Sequence, residues 1–323
     1  MIEVKKYSSE YRNDWDNFVE LSKNGSFHLK RDFVEYHSSR FTDYSLMIFE
    51  DKELKAVVPA NIRDSIVYSH QGLTYGGILV EKKIYLTSYI EIVKALFGFL
   101  KGNNIERLII KEIPWTYTSV FNDDFDFLVN VAGAKISRFD VLPHIDLSSP
   151  LEYQTRRKRS IAKAKKLGFM VKETPDYTAY WNLVTELLAG YGAAPVHSLE
   201  EITYLKAKFP ENIRLFEIWE QEQLIAGVLV FETTLVARAQ YIASSALGKE
   251  TGALDLLFDN LITIVFKHKK YFEFGTTTLN GGTRLNYGLS DQKEGFGARS
   301  VVQHTYDIDI KNLDVNKITE LKL

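Results

Sequence analysis

The densest group of chemically capable residues lies near the carboxyl end of the sequence, in residues 274–299. This segment combines six glycines with acidic, basic and amide side chains, directly after an apolar stretch that predicts a strand. Glycines let a backbone approach a ligand closely, and polar side chains between them can bind it. A purely structural loop needs fewer of both, so we predict that this segment contributes to a binding or catalytic site. The candidate residues are Asn286, Tyr287, Lys293, Glu294 and Arg299.

A second candidate follows the apolar stretch 235–245. Residues 246–253 read Ala-Leu-Gly-Lys-Glu-Thr-Gly-Ala. Glycines at a strand-to-helix turn allow backbone N–H groups to face an anion at the positive end of a helix. A pyrophosphate such as that of coenzyme A would suit this arrangement, and an ordinary glycine-containing turn fits the pattern equally well. The candidate phosphate contacts are Gly248, Lys249, Thr251, Gly252 and Ala253.

Residues 153–167 predict a strongly cationic helix. The stretch carries seven lysines and arginines in a chain whose formal charge is only −2. Such a cluster can bind a nucleotide-sugar diphosphate, a tRNA backbone or an anionic membrane surface. A solvated cationic helix face is the simpler interpretation. The candidate ligand contacts are Arg156, Arg159 and Lys163.

Two further groups contain histidine. Residues 69–77 are rich in glycine, aromatic and hydrogen-bonding side chains, which indicates either a substrate wall or a bulged strand with a turn. The candidates in that stretch are His70, Gln71, Thr74 and Tyr75. His197 precedes a helix with a Ser-x-x-Glu capping box. It could act as a base or contact substrate, although a lone loop histidine more often does neither.

Composition limits the classes of function. The 323 residues are 45% hydrophobic, which suits two packed cores, and the nearly neutral charge argues against a DNA-binding coat. The chain has no cysteine, which excludes thiol nucleophiles and disulfides and fits a reducing compartment. The seven histidines show no metal-ligand spacing, so no metal site is predicted. With no apolar leader or membrane-spanning run, a cytoplasmic location is expected.

The elements that must position these residues occur twice. Residues 46–72 and 215–244 each predict two strands joined by a charged turn, followed by a third strand. An amphipathic helix follows each set, over about 86–100 and 253–266, and one more strand follows each helix. We therefore predict two similar α/β domains built on mixed sheets.

The predicted boundary between the domains lies near Ser149. Ser149, Pro150 and Glu152 have the spacing of a capped helix start. We therefore assign residues 1–148 to an amino-terminal domain and residues 149–323 to a carboxyl-terminal domain that binds the donor.

Several of these stretches together resemble the tandem GCN5-related N-acetyltransferase (GNAT) fold of the FemAB-like acyltransferases, over nearly the whole chain. The most specific are the basic helix that ends in Lys-Lys-Leu-Gly at 165–168 and the Lys-Glu-Gly-Phe-Gly run at 293–297. The supporting stretches are 33–41, 69–77, 195–202 and 240–243.

The resemblance implies transfer of an acyl group from acetyl-CoA or another acyl-CoA to an amine, on an amino sugar or another cell-envelope or polysaccharide precursor. The lysine that precedes the group's Gly-Phe-Gly turn falls on Lys293, where it would stabilise negative charge on the acyl carbonyl oxygen. Glu294 or His197 would accept the amine proton, and Tyr241 or Tyr287 would protonate the leaving thiolate. The acyl donor would lie beside Gln240, Ile242 and Ser244, and the small-molecule acceptor near residues 70–77, the basic helix and His197.

Two alternatives stay open. One is transfer of an aminoacyl group from aminoacyl-tRNA to a peptidoglycan precursor, as in FemAB proteins proper. The other is a non-catalytic double domain that binds a ligand or a partner protein.

Overall fold

Two units share the chain in the computed structural model, which describes residues 1–315 and residue 318. Unit 1 contains residues 1–140, 281–283 and 302–315, and residue 318; unit 2 contains residues 141–280 and 284–301. The unit boundaries at 140 and 301 fall inside two long strands, Lys135–Asp146 and Arg299–Asp309.

The strands are β1 (Ile2–Lys6), β2 (Thr42–Asp43), β3 (Leu46–Glu50), β4 (Glu53–Val58), β5 (Asn61–Arg63), β6 (Ile66–Tyr68), β7 (Leu79–Val80), β8 (Arg107–Lys111), β9 (Lys135–Asp146), β10 (Lys172–Thr174), β11 (Ile213–Glu220), β12 (Gln223–Glu232), β13 (Val236–Ser244), β14 (Tyr271–Glu273), β15 (Thr278–Leu279), β16 (Arg284–Leu285) and β17 (Arg299–Asp309). The α-helices are α1 (Arg12–Leu21), α2 (Arg31–Glu35), α3 (Leu86–Gly102), α4 (Asp124–Val131), α5 (Thr155–Lys166), α6 (Thr178–Ala189), α7 (Leu199–Lys208), α8 (Ala246–Thr251), α9 (Ala253–Asn260) and α10 (Tyr287–Glu294).

Unit 1 is built on two groups of strands. One has the order β1-β3-β4-β7, and the other places residues 302–309 of β17 beside β8, followed by β6, β5 and β2. Helix α3 covers them because its apolar residues recur every three or four positions and form one buried stripe. That stripe consists of Tyr89, Ile92, Val93, Leu96, Phe97 and Leu100.

Unit 2 has the strand order β10-β11-β12-β13-β14, ending on residues 141–146 of β9. Its two helical layers lie on opposite faces of these strands. Val228 packs in one core with Leu257 of α9, whereas a Cβ at the adjacent Gly227 would lie 2.4 Å from the Tyr180 ring of α6. Neighbouring strand residues point to opposite faces, so α6 covers one face and α9 the other.

The repeat predicted from the sequence is confirmed at the level of register. The β3–β4 hairpin and the β11–β12 hairpin each contain a bulge, after Ile48 and after Ile218, at positions 170 residues apart. Each unit also contains one parallel pairing of three residues, which begins at Ile66 in β6 and at Val236 in β13. This second pair of positions has the same 170-residue offset.

Of the local structures predicted from the sequence, one is confirmed and another begins at a different residue. The capping box at Ser198 and Glu201 is present. The helix expected from Ser149 instead begins at Thr155, because Asp146 accepts hydrogen bonds from the amide and hydroxyl of Ser148 and holds this stretch in a turn. In the described part of the chain, no helix combines the length and apolar character needed to cross a lipid bilayer.

The division into units also differs from the expected boundary at 148/149. Residues 302–313 belong to unit 1 rather than to the carboxyl-terminal half. The reason is burial: Tyr306, Ile308 and Ile310 complete the apolar core that α3 covers.

Two glycine substitutions are expected to change stability in opposite directions. A Cβ at Gly248 would lie 2.0 Å from the Ile225 carbonyl oxygen, whereas Gly98 in α3 has no atom within 4 Å of its Cβ position. We expect Gly248→Ala to lower the free energy of unfolding by about 1–3 kcal/mol. Gly98→Ala should raise it by about 1 kcal/mol through helix propensity. Urea denaturation of both variants checks this, and a stable Gly248→Ala protein would contradict the packing described.

Candidate active site

Lys293 is buried in an aromatic enclosure within unit 2. It lies in the last turn of α10 and is 3% exposed. Its Nζ lies 5.3 Å from the ring centroid of Phe258 and 5.1 Å from that of Phe274. The Phe296 ring packs against both of these rings, with centroids 5.5 Å and 5.9 Å away. The ammonium group therefore has ring faces around it where most buried lysines have a carboxylate.

The charges around this enclosure do not cancel. Asp255 is the nearby acid, but it pairs with Arg157 at 2.6 Å. Among the described residues, no carboxylate lies within 4 Å of Lys293 Nζ. Burial, with a smaller contribution from Arg157, lowers the pKa of Lys293 to about 8, and Asp255 opposes this only in part. Two cations thus share one carboxylate, and the enclosure carries an excess positive charge.

The strands of unit 2 separate beside this lysine. β13 pairs with β14 only through Val236, Ala237 and Arg238. β14 ends at Glu273, while β13 continues along β12 to Ser244. Phe274, whose ring contacts Lys293, is the first residue beyond β14. The ammonium group therefore lies where the two strands diverge.

A row of polar side chains marks the point of divergence. Glu273 is fully buried and forms an ion pair with Arg238, its partner in the strand register. His144 Nε2 lies 3.5 Å from the other oxygen of Glu273. Arg238 Nε also donates a hydrogen bond to Gln240 Oε1 at 2.9 Å. Gln240 occupies a bulge in β13, because Leu229 pairs with Tyr241 and the next residue of β12 pairs with Ala239.

His197 and Tyr241 form a pair on the other face of the sheet from Lys293. The His197 Nδ1 and Tyr241 Oη atoms are 2.7 Å apart. The Tyr241 ring packs against Trp181 of α6, with ring centroids 5.0 Å apart, whereas Lys293 lies on the α9 side. Burial raises the pKa of Tyr241 to about 12. The structure therefore joins His197 to Tyr241 but brings neither of them to the lysine enclosure.

The other candidates of residues 286–299 have mainly local contacts. Asn286 caps α10 by accepting a hydrogen bond from the Leu289 amide at 3.1 Å. Tyr287 is 78% exposed. Glu294 accepts a hydrogen bond from the Ser290 hydroxyl at 2.9 Å, and Arg299 donates to the carbonyl oxygen of Ala298.

Residues 246–251 form helix α8, where the sequence suggested a glycine-containing turn between a strand and a helix. The Gly248 amide donates to the Ser245 hydroxyl, and the amides of Lys249 and Gly252 donate to backbone carbonyls. Gly248 allows close packing against β12, and Gly252 joins α8 to α9 with a left-handed φ of 81°. These amides are already used, so they do not form the phosphate cradle that the glycines suggested.

The remaining donor candidates lie around that helix. Ile242 and Ala253 pack in the apolar core of unit 2, and the Thr251 hydroxyl donates to the Leu247 carbonyl oxygen. Ser244 and Lys249 line a cavity of about 850 Å³ together with residues of α6.

The basic helix α5 is largely tied to its own unit. Arg156 contacts Asp291, Lys163 donates to the Glu250 carbonyl oxygen, and Lys165 pairs with Asp259. Arg159 is exposed and has no ion-pair partner among the residues that the structure describes. Only part of the cationic surface expected from the sequence is therefore available for a ligand.

In unit 1, the histidine-containing candidates are mostly packed inside. Tyr75 is 1% exposed and contacts the Ser26 hydroxyl and His28. His70 stacks on His37, and burial lowers the pKa of His70 to about 3. Gln71 bonds to Asn61, and Thr74 is half-buried. His70 and Gln71 also line a cavity of about 290 Å³.

Sequence reasoning missed the residues that surround Lys293. Nothing in the sequence distinguishes Phe258 and Phe274 from core aromatics, and Phe296 entered the analysis only as part of the Lys-Glu-Gly-Phe-Gly run. Arg157 was counted only as part of a basic face. The one usable signal was Asp255, an acid inside an apolar helical stretch, which indicates a buried partner.

No model of a known protein family and no curated protein matches this sequence.

Solved structures match this chain over nearly its whole length. The match with FemX covers 96% of this chain and 98% of the FemX chain, with a TM-score of 0.67 and 11% sequence identity. The match with the carboxyl-terminal domain of a putative lysylphosphatidylglycerol synthetase from Agrobacterium fabrum covers 94% of this chain and 92% of that domain, with a TM-score of 0.60 and 12% sequence identity. The match with a tandem GNAT protein from the clavulanic acid biosynthesis pathway covers 97% of this chain and 100% of that protein, with a TM-score of 0.52 and 12% sequence identity. At these identities the likeness shows the fold, and the predicted tandem GNAT-like fold is confirmed.

Proposed function

We propose that this protein is an acyltransferase that moves an acyl group from an activated carbonyl donor to an amine. The observation that carries the proposal is the buried, uncompensated ammonium group of Lys293 at the divergence of β13 and β14. Burying a charge without a partner is costly, and perturbed ionisable groups of this kind concentrate at functional sites. The tandem GNAT-like fold supports the same reaction class by analogy.

The reaction needs a positive charge where Lys293 provides one. When the acceptor amine attacks the acyl carbon, a C–N bond forms and the carbonyl oxygen becomes negative. An ammonium group held in a water-poor enclosure stabilises that oxyanion without reorganising at the moment of reaction. Collapse of the intermediate then breaks the bond to the leaving group, which takes up a proton. The chain has no cysteine, and direct attack is therefore proposed instead of a thiol intermediate.

The proton-transfer roles are proposed from the sequence. His197 and Tyr241 are hydrogen-bonded to each other, and they would take part in proton transfer only if the bound substrate extends from the Lys293 enclosure to the α6 face of the sheet. Glu294 and Tyr287 are exposed and stay as predicted alternatives. The proposed acceptor is an amine on an amino sugar or a cell-envelope precursor.

We propose two alternative acyl donors and prefer the first. The first is an acyl-CoA thioester, which would place its acyl end beside Gln240, Ile242 and Ser244. The second is an aminoacyl-tRNA, which two observations on helices α8 and α5 support as an alternative. The amides of Gly248, Lys249 and Gly252 already have acceptors within the chain, whereas exposed α5 cations such as Arg159 suit a polyanion.

Ribonuclease separates the two donors. The purified chain is incubated with an amine acceptor and either acetyl-CoA or charged tRNA, and transfer is followed by mass spectrometry. Loss of product after ribonuclease identifies the tRNA reaction, and retention identifies the thioester. Calorimetry with acetyl-CoA tests the non-catalytic alternative, since heat of binding without turnover under any donor would contradict the enzyme proposal.

Lys293→Met is expected to slow transfer strongly. Methionine fills the space of the lysine stem but removes the charge that the oxyanion needs. We expect kcat to fall by about 10²–10³-fold, the usual effect of losing one oxyanion donor. The exposed Lys267→Met, also in unit 2, is the matched control and should keep wild-type turnover. Normal kcat in Lys293→Met would remove this residue from the mechanism.

The same variant should be more stable than wild type at neutral pH. The pKa of Lys293 is lowered from 10.5 to about 8 in the folded chain, so between these pH values the unfolded chain binds more protons. Wild-type stability therefore rises as the pH increases from 8 to 10.5. Below pH 8, burial of the ammonium group costs about 3 kcal/mol at most. We expect denaturant titrations to show this advantage for Lys293→Met at pH 7, and to show it shrinking above pH 8. An advantage that does not depend on pH would contradict the charge explanation.

The rate should also depend on the charge of Lys293. For wild type we expect kcat/KM to fall as the pH rises through about 8, because the ammonium group loses its proton. Lys293→Arg keeps its charge to much higher pH, so its basic limb should move upward even if its maximal rate is lower. Near-ultraviolet circular dichroism controls for altered packing. An unchanged basic limb in the arginine variant would assign that limb to another group.

A further inference from the structure

Three side chains of types that can bind a metal ion meet in unit 1, one of them far from the other two in the sequence. Glu112, Asp126 and His304 each offer one ligand atom, and these atoms lie within 4.8 Å of one another. None of the three belongs to the acyl-transfer proposal above, so this group needs an explanation of its own.

The local fold explains how the three side chains come together. Glu112 directly follows β8, and its amide donates to the His304 carbonyl oxygen in β17 at 3.0 Å. This contact continues the antiparallel ladder in which Lys111 pairs with Thr305, so Glu112 and His304 are cross-strand neighbours. Asp126 is supplied by the first turn of α4, which packs over this strand pair.

The two carboxylates have little positive charge to balance them. His304 Nδ1 lies 3.0 Å from Glu112 Oε2. In the described part of the chain, no lysine or arginine nitrogen lies within 4 Å of a carboxylate oxygen of Glu112 or Asp126. All three side chains are half-buried, which weakens screening by water. Two acids this close therefore need either a shared proton or a bound cation.

Neighbouring groups hold the ligands in place. The Tyr306 hydroxyl donates to Asp126 Oδ1 at 2.6 Å and so orients this carboxylate. Gln303 Nε2 donates to the backbone carbonyl of Glu112 at 2.7 Å. The Phe139 ring packs edge-on against His304, with centroids 5.3 Å apart. Hydrogen bonds to the ligands and an apolar side wall are the supports that metal sites ordinarily have.

We propose that Glu112, Asp126 and His304 bind a divalent first-row transition cation, with Zn²⁺ as the ion to test. One imidazole nitrogen and two carboxylate oxygens suit zinc or its neighbours, with solvent completing the coordination. Mg²⁺ and Ca²⁺ prefer sites made only of oxygen. The ion would join α4 to the paired strands β8 and β17 and would stabilise unit 1, because these ligands converge only in the folded chain.

Zinc titration of the untagged, chelator-treated chain tests the site. Isothermal calorimetry with Zn²⁺ alone should give saturable binding of one ion per chain, and Tm should rise with Zn²⁺ concentration. His304→Ala should weaken binding at least tenfold and remove the Tm shift. Asp126→Asn, which keeps an acceptor for Tyr306, should act in the same direction while preserving the fold. His268→Ala removes an exposed histidine of unit 2 and should behave like wild type.

Three results would overturn the proposal. One is the absence of saturable zinc binding, which would mean that the acids only share a proton. Another is equal affinity in wild type and His304→Ala with circular dichroism showing both folded. The third is displacement of zinc by equimolar Mg²⁺, which would contradict a site with a nitrogen ligand. None of these results bears on acyl transfer, because the two sets of residues are separate.

Discussion

An excess buried positive charge is the constraint on which the arrangement of unit 2 depends. Arg157 from α5 and Lys293 from α10 both interact electrostatically with Asp255 of α9, but only Arg157 forms an ion pair with it. The lysine is left with the faces of Phe258 and Phe274. Aromatic faces attract a cation but do not neutralise it. The enclosure therefore favours any transient negative charge that enters it, and three helices must keep their positions for this to hold.

The tandem fold could be predicted from the sequence because its signals are local. The signals are the apolar runs of the β3–β4 and β11–β12 hairpins, the stripe of α3 and the capping box at Ser198, and each involves residues close together in the chain. The start of α5 was misplaced for an equally local reason. Asp146 competes for Ser148 and turns the chain, and the capping spacing at Ser149 does not reveal that competition.

The sites were less predictable, because they depend on strand register and on contacts between distant segments. Gly248 looked like part of a phosphate loop, but a glycine also permits a helix to approach a strand closely, and here the Ile225 carbonyl oxygen occupies the space of a side chain. Glu112 and His304 are almost two hundred residues apart and become neighbours only through the β8–β17 ladder. No spacing rule on a single sequence contains that information.

The duplicated strand divergence explains why the two units are proposed to have different roles. Each unit has a parallel contact of only three residue pairs. In unit 1 the chain leaves β6 after Tyr68, turns at His70 with a left-handed φ of 75°, and returns so that the Gly76 amide donates to the Lys111 carbonyl oxygen. This loop occupies the edge of β8 beyond the third pair. Burial lowers the pKa of His70 to about 3, so its imidazole is neutral and packed at physiological pH.

In unit 2, β13 instead continues for six residues past Arg238 without pairing with β14. The segment of β13 beyond Arg238 therefore has no partner in β14, and it begins beside Phe274, whose ring contacts Lys293. This difference between the units supports the proposed position of the activated carbonyl.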